Sequence, residues 1–270
     1  MNKNISYHYM FDGFQNTSLL WKRNSVEHLE QFVVPETSEK FKPKTEDKKL
    51  RLGKWVEQFV SFQLQQQSNV NIIEENLQIK IGKQTIGELD LLFLKDKQPF
   101  HLEIVYKFYL YDTSKVSANT FDYWIGPNRN DSLTYKLDKL KNKQLPLLYH
   151  NETKASLKSF IHTESIKQCV CFKAQLFLPF GKQNICVEPL NKNCISGFYL
   201  PFAKIKALEM FQFYIPDKLE WLVTPSDNVT WLNFKTATMR IKEQIEQQRS
   251  SMAWLKNEKN ELMKCFITWW

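Results

Sequence analysis

Apolar residues recur at intervals of three and four from Leu52 through Val56, Phe59 and Val60 to Leu64, which predicts an amphipathic helix beginning near Arg51. The polar run Gln65 to Asn69 ends it. The pattern then changes to short β-like runs. Asn76 to Ile81 and Thr85 to Leu94 flank Gly82-Lys83-Gln84, a short hairpin turn, and Phe100 to Leu110 follows the break KDKQP. Pro99 donates no ladder hydrogen bond but can begin a strand. After Gly126-Pro127-Asn128 a second helix is expected from Asp131 or Ser132, either a suitable N-cap. Its stripe Leu133, Leu137, Leu140 and Leu145 stops at Pro146.

The flanks read differently. Leu19, Leu20 and Trp21, then Phe32, Val33 and Val34, suggest one or two helices packing on something larger. Residues 36–49 are charged and read as a solvated connection. Downstream, Cys169 to Phe180 reads as a strand, and Phe198 to Tyr214 fits strand or helix. Thr236 to Trp269 reads as one long amphipathic helix with Ile241, Ile245, Met252, Leu255, Leu262 and Phe266 inward. Its default role is packing on its own domain, with pairing to a second copy as the alternative. The expected division is 1–49, a helical segment and connection; 50–180, an α/β core; and 181–270, an extension with the long helix.

Composition narrows the classes. The chain has 270 residues, 43% of them hydrophobic and 14% aromatic, enough to fill a sizeable core. MNKNISYHYM lacks a signal-peptide pattern, and no apolar run has the length of a membrane span. Five cysteines without a CxxC pair argue for reduced thiols in a cytoplasmic protein rather than a disulfide framework or zinc cage. A net charge of +8 is compatible with a polyanionic partner. Seven glycines include no Walker A loop and no GxGxxG, and neither HExxH nor GxSxG occurs.

The candidate chemistry lies in GELDLLFLKDKQPFHLEIVYK. If the turn centres on Asp96-Lys97, Asp90 lies opposite Glu103 on one face. Two carboxylates facing each other across a ladder repel. Either a divalent cation sits between them or both reach solvent on an exposed face. The surrounding Leu89, Leu91 to Leu94, Leu102, Ile104 and Val105 argue for a covered sheet, where unpaired charge is costly. Hard oxygen ligands suit magnesium or manganese. Lys107 is four residues beyond Glu103 on the same face, about 13 Å along the strand, and its side chain can reach back. His101 could serve as a base or as a buried, hydrogen-bonded residue. Lys136, Lys139 and Lys143 give the second helix a basic face which, with Arg129, could hold phosphates or simply be solvated.

The order of a helix with glutamate, GELD on one strand, HLEIVYK on the next, and a helix ending in glutamine resembles the PD-(D/E)XK nuclease superfamily. The wider run GELDLLF, LEIVYKFYL and GPNRNDSLTYKLDKLKNKQLPL is similar to an uncharacterised bacterial family, domain of unknown function 1853, grouped with those nucleases. The resemblance implies a restriction-endonuclease-like α/β core over residues 50–180: a mixed sheet flanked by helices, with N- and C-terminal helical additions. It implies Mg²⁺- or Mn²⁺-dependent hydrolysis of nucleic acid, DNA before RNA. Glu57 in RLGKWVEQF, Asp90 and Glu103 match the metal-holding acids, and Ile104 would offer its carbonyl. Lys107 is the candidate for the catalytic lysine, and Gln144 matches the supporting glutamine. The superfamily lysine normally stands two residues after the acid, where this chain has Val105; Lys136 is a substitute position. That departure keeps one rival open, a nucleic-acid-binding module without turnover, and the long C-terminal helix keeps a second, a protein-interaction or structural subunit.

Overall fold

In a computed structural model, residues 7–22, 26–44, 50–157, 162–182 and 184–270 are described. The helices are α1 (Tyr7–Asn16), α2 (Leu52–Gln65), α3 (Leu133–Lys139), α4 (Asn151–Leu157) and α5 (Phe234–Glu246). The strands are β1 (Val70–Ile81), β2 (Gln84–Lys95), β3 (Gln98–Tyr111), β4 (Trp124–Ile125), β5 (Lys167–Pro179), β6 (Ile195–Pro201), β7 (Gln212–Tyr214), β8 (Ser251–Lys256) and β9 (Leu262–Thr268). Parallel and antiparallel pairings both occur, so the fold is mixed α/β with a large mixed sheet and accompanying helices. Among the described residues no helix is long and apolar enough to cross a membrane.

The chain forms two compact units. One comprises residues 19–106 and 135–173; the other comprises 1–18, 107–134 and 174–270. In the first, β1, β2 and the start of β3 make an antiparallel meander. Both connections are two residues long. Gly82 carries φ +57° in one, and Asp96 and Lys97 carry φ +51° and +67° in the other. Paired left-handed residues match the right-handed twist of the flanking strands. The Asn69 amide hydrogen-bonds the Asp96 carboxylate at 2.9 Å, which holds the second turn. That turn sets Leu91 opposite Leu102 and Leu92 opposite His101, the register expected from a centre at Asp96-Lys97.

Helix α2 buries Val56, Phe59, Val60 and Leu64 of the expected stripe, together with Trp55, while Leu52 is only partly buried. Phe41, inside the segment read as solvated, is buried and meets the Phe59 ring edge-on at 4.7 Å. Residues 45–49 of that connection lie outside the described residues. Leu19 to Trp21 and Phe32 to Val34 are not helical. Leu20 donates to the Phe172 carbonyl and Phe32 to that of Val170, each at 2.8 Å, so these apolar clusters are extended chain beside β5. The N-terminal helix is α1, farther upstream.

The helix after Asp131 does not stop at Pro146. It passes through a π-helical stretch at Leu140–Gln144 into a 3₁₀ stretch at Leu145–Tyr149. Pro146 is in the first turn of the latter, so the helix changes type at the point where proline removes an N–H from the ladder.

In the second unit, β5 pairs parallel with β6 and β6 with β9, while β9, β8 and β7 are antiparallel. The long C-terminal helix is a correction. Helix α5 ends at Glu246, Gln248 takes φ +54°, and a β8–β9 hairpin follows. MAWL and the run CFIT are nearly continuous apolar stretches buried on both faces, a pattern of inner strands that spacing by threes and fours also accommodates. Phe198 to Tyr214 resolves into the end of β6, a 3₁₀ stretch at Phe202–Leu208, and β7.

Candidate metal centre

The site lies in the first unit, where α2, the β1–β2–β3 meander and the π-helical stretch each supply side chains. Continuing the β2–β3 register by one residue sets Asp90 against Glu103, as the turn position requires. The β1–β2 register likewise leaves Asn76 opposite Asp90, between the pairs Glu75–Leu91 and Leu77–Leu89. Asn76 has φ +56°, a left-handed conformation that asparagine tolerates better than most residues.

Carboxylate oxygens of Glu57, Glu88 and Asp90 lie within 4.8 Å of one another. Glu57 comes from α2, and Glu88 and Asp90 come from one face of β2. The Ile104 N–H donates to Asp90 Oδ2 at 2.8 Å. Burial, with the charges of Glu103 and Glu57, pushes the Asp90 carboxyl up to about 8, against the opposing pull of the Ile104 N–H and Lys136. Glu57 is raised as well, by burial first, with Lys54 pulling the other way. The Lys54 ammonium stands among these acids. It hydrogen-bonds Glu57 at 2.8 Å and also reaches Glu88 and Asn76. Burial disfavours its charge, but the bonds to Glu57 and Glu88 outweigh that and hold its pKa above the ordinary value.

Glu103 is fully buried and sits in a polar chain. Gln168 Nε2 donates to the Leu145 carbonyl at 2.7 Å, which fixes the orientation of that amide. The same nitrogen lies 3.0 Å from His101 Nδ1, so Nδ1 accepts and the ring hydrogen resides on Nε2. Nε2 then donates to Glu103 Oε1 at 3.1 Å. Gln144 Nε2 donates to the other oxygen, Oε2, and Lys136 Nζ donates to Gln144 Oε1 at 2.7 Å. The buried carboxylate thus has a donor on each oxygen, and Lys136 is tied to it through one amide.

The structure therefore brings Glu57, Asp90, Glu103, Ile104, Gln144 and Lys136 together. His101 is the buried, hydrogen-bonded residue of the two alternatives. The close trio includes Glu88 in place of Glu103. Lys107 belongs to the other unit, where Asp131 holds its ammonium. Arg129 also belongs there, paired with Asp112 at 3.2 Å. Lys139 and Lys143 are exposed. Lys54 and Asn76 were not singled out from the sequence. Lys54 is one helical turn before Glu57, the only local signal available, whereas Asn76 is marked by no motif.

The donor set suits a hard divalent cation: carboxylate oxygens close together, no thiolate or imidazole in the trio, and a surplus of negative charge that Lys54 offsets in part. No curated protein and no solved structure gives a match to the chain. The family model for the domain of unknown function DUF1853 matches residues 22–265, and the chain belongs to that family.

Proposed function

We propose that this chain is a PD-(D/E)XK-type, divalent-cation-dependent phosphodiesterase acting on nucleic acid, with DNA ahead of RNA. The observation that carries the reading is the approach of Glu57, Glu88 and Asp90 to within 4.8 Å around a carboxyl that burial and like charge raise to about 8. A polyanionic substrate is consistent with the net charge of +8.

Glu57, Glu88 and Asp90 would hold Mg²⁺ or Mn²⁺. When bound, such a cation supplies Lewis-acid polarisation of a phosphodiester. The chain's own residues divide the remaining work. The Ile104 N–H orients Asp90. Glu103, clamped by His101 and Gln144, keeps Gln144 turned so that its oxygen receives Lys136. Lys136 is then the cation positioned to stabilise charge developing on a phosphoryl oxygen. It takes the role expected of Lys107, which is engaged by Asp131.

Cleavage of labelled single- and double-stranded DNA and RNA with Mn²⁺ or Mg²⁺ tests this. The wild type is expected to cut, with Asp90→Asn and Lys136→Met each lowering the rate at least 100-fold and Lys107→Met changing it less than threefold. Metal-independent cutting, or equal rates in Asp90→Asn and wild type, would overturn the proposal.

A second reading has one specific observation in its favour. Lys54 already supplies a cation to Glu57 and Glu88, which suits a binding module that has given up turnover. Salt-sensitive binding without cleavage by either wild type or Lys54→Met would favour it.

A further inference from the structure

The second unit contains a cavity of about 350 Å³ with Arg129, Lys182, Lys204, Phe180, Tyr199 and Trp270 in its wall. Its size is within the range of about 300–1,000 Å³ usual for small-ligand sites. Much of the wall is held in place. The Arg129 guanidinium lies 4.0 Å from the Trp270 ring centroid and is paired with Asp112. The Trp270 indole N–H donates to the Pro127 carbonyl at 2.9 Å, and the Tyr199 hydroxyl donates to the Tyr111 carbonyl at 2.7 Å. Asp112 is buried and further satisfied by the Ser114 N–H at 2.9 Å and the Ser114 hydroxyl at 2.6 Å.

Lys182 and Lys204 differ from Arg129. Both are exposed, and neither has a carboxylate partner among the described residues. Among the lining side chains, three cations face the single carboxylate of Asp112. A tight turn places Lys182: Gly181 takes φ +75°, and the Lys182 N–H donates to the Pro179 carbonyl at 2.9 Å. The same turn presents Phe180, which is 46% exposed although its ring leans on Phe198 at 5.0 Å. An exposed aromatic ring and two ammonium groups without a carboxylate partner share one cavity lining with Tyr199 and Trp270, a set complementary to a flat ring carrying an anion.

We propose that this cavity binds a nucleoside phosphate, with the base against Phe180 and the phosphate between Lys182 and Lys204. A simple inorganic anion would leave the aromatic wall unused, and an uncharged ring would leave the two lysines unused. The base–aromatic contact is tolerant of base identity because every base offers a π-face. The ligand is either a free mononucleotide or the terminal nucleotide of a strand, which share this chemistry. The assignment does not rest on the acidic cluster of the other unit and stands whether or not that cluster holds a metal.

The test is calorimetric titration of the full chain with 5′-dAMP in EDTA at low salt. Deoxyadenosine, inorganic phosphate and a 5′-phosphorylated hexanucleotide are titrated alongside. Binding of dAMP is expected, with deoxyadenosine and phosphate each at least tenfold weaker. Lys182→Ala/Lys204→Ala should weaken dAMP at least tenfold and Phe180→Ala about fivefold. All three positions are exposed, and far-ultraviolet circular dichroism checks that the variants fold. A hexanucleotide that binds tighter than dAMP identifies a strand end, and one that does not identifies a free nucleotide; both support the site. No heat with dAMP or the hexanucleotide overturns the proposal, as does dAMP binding that both variants leave unchanged.

Discussion

Each unit contains an ionisable group that burial has moved far from its ordinary range, and the two differ in what surrounds them. In one, Asp90 is raised to about 8 by burial and by two neighbouring carboxylates, Glu103 and Glu57. In the other, Lys264 is lowered to about 7 by burial alone. Its ammonium donates to Gln175 Oε1 at 2.9 Å and to the Trp221 carbonyl at 2.7 Å, both neutral acceptors on the strand and turn it ties together. Lys264 is a cation spending its hydrogen bonds on the fold. Asp90 is one of several acids drawn together, and Lys54, bonded to Glu57 and Glu88, offsets that crowding only in part. The shift alone does not distinguish a site from a core feature; the sign and number of neighbouring charges do.

The largest effect expected is at Glu103. Removing its side chain strips the partner from two donors, His101 Nε2 and Gln144 Nε2, in a fully buried position. Urea unfolding of Glu103→Ala should show a loss of about 3 kcal/mol. A loss under 1 kcal/mol would mean the polar chain is not closed in solution.

Asp90 comes next. Its pKa is higher folded than unfolded, so between about pH 4 and pH 8 the folded state binds more protons and stability falls as pH rises. In metal-free buffer Asp90→Asn should therefore match the wild type at pH 4 and become progressively more stable than it as the pH rises to 8. A parallel pair of pH–stability curves would remove the like-charge account.

Lys264→Met should have a smaller effect, within about 1 kcal/mol at pH 7, because the lost hydrogen bonds are offset by removal of a desolvated cation. Its signature is the opposite slope. The folded pKa of Lys264 is depressed, so the wild type gains stability from about pH 7 towards pH 10 as the folded amine sheds its proton first. The variant should lack that rise. Smallest is Lys54→Met, about 0.5 kcal/mol at pH 8 because Lys54 is two-fifths exposed. If Lys54 competes with a divalent cation for Glu57 and Glu88, the same variant should bind Mn²⁺ about tenfold more tightly.

The meander was legible because each residue's face follows from its distance to the turn at Asp96-Lys97, and both alternation and turn position can be read in one dimension. Helix α2 was legible for the same reason, through a clean stripe at helical spacing. The C-terminal hairpin was not. Met252, Leu255, Leu262 and Phe266 satisfy intervals of three and four, yet they belong to two strands whose residues are buried on both faces, so the alternation that marks a half-exposed strand is missing. Phe41 was obscured by its charged neighbours. Asp90 and Glu103 were singled out through the resemblance and the register together, and Gln144 through the resemblance alone. Lys54 was missed because a lysine one turn from a glutamate on a helix is ordinary, and only the fold shows Glu88 and Asn76 waiting opposite it.

The central claim is that Glu57, Glu88 and Asp90 form a divalent-cation site, and calorimetric titration of Mn²⁺ tests it most directly. The account predicts saturable binding of Mn²⁺ to the wild type, tighter binding to Lys54→Met, and none to Glu88→Ala/Asp90→Ala. Heats from the wild type that match those of the double variant, with Lys54→Met equally silent, would contradict it.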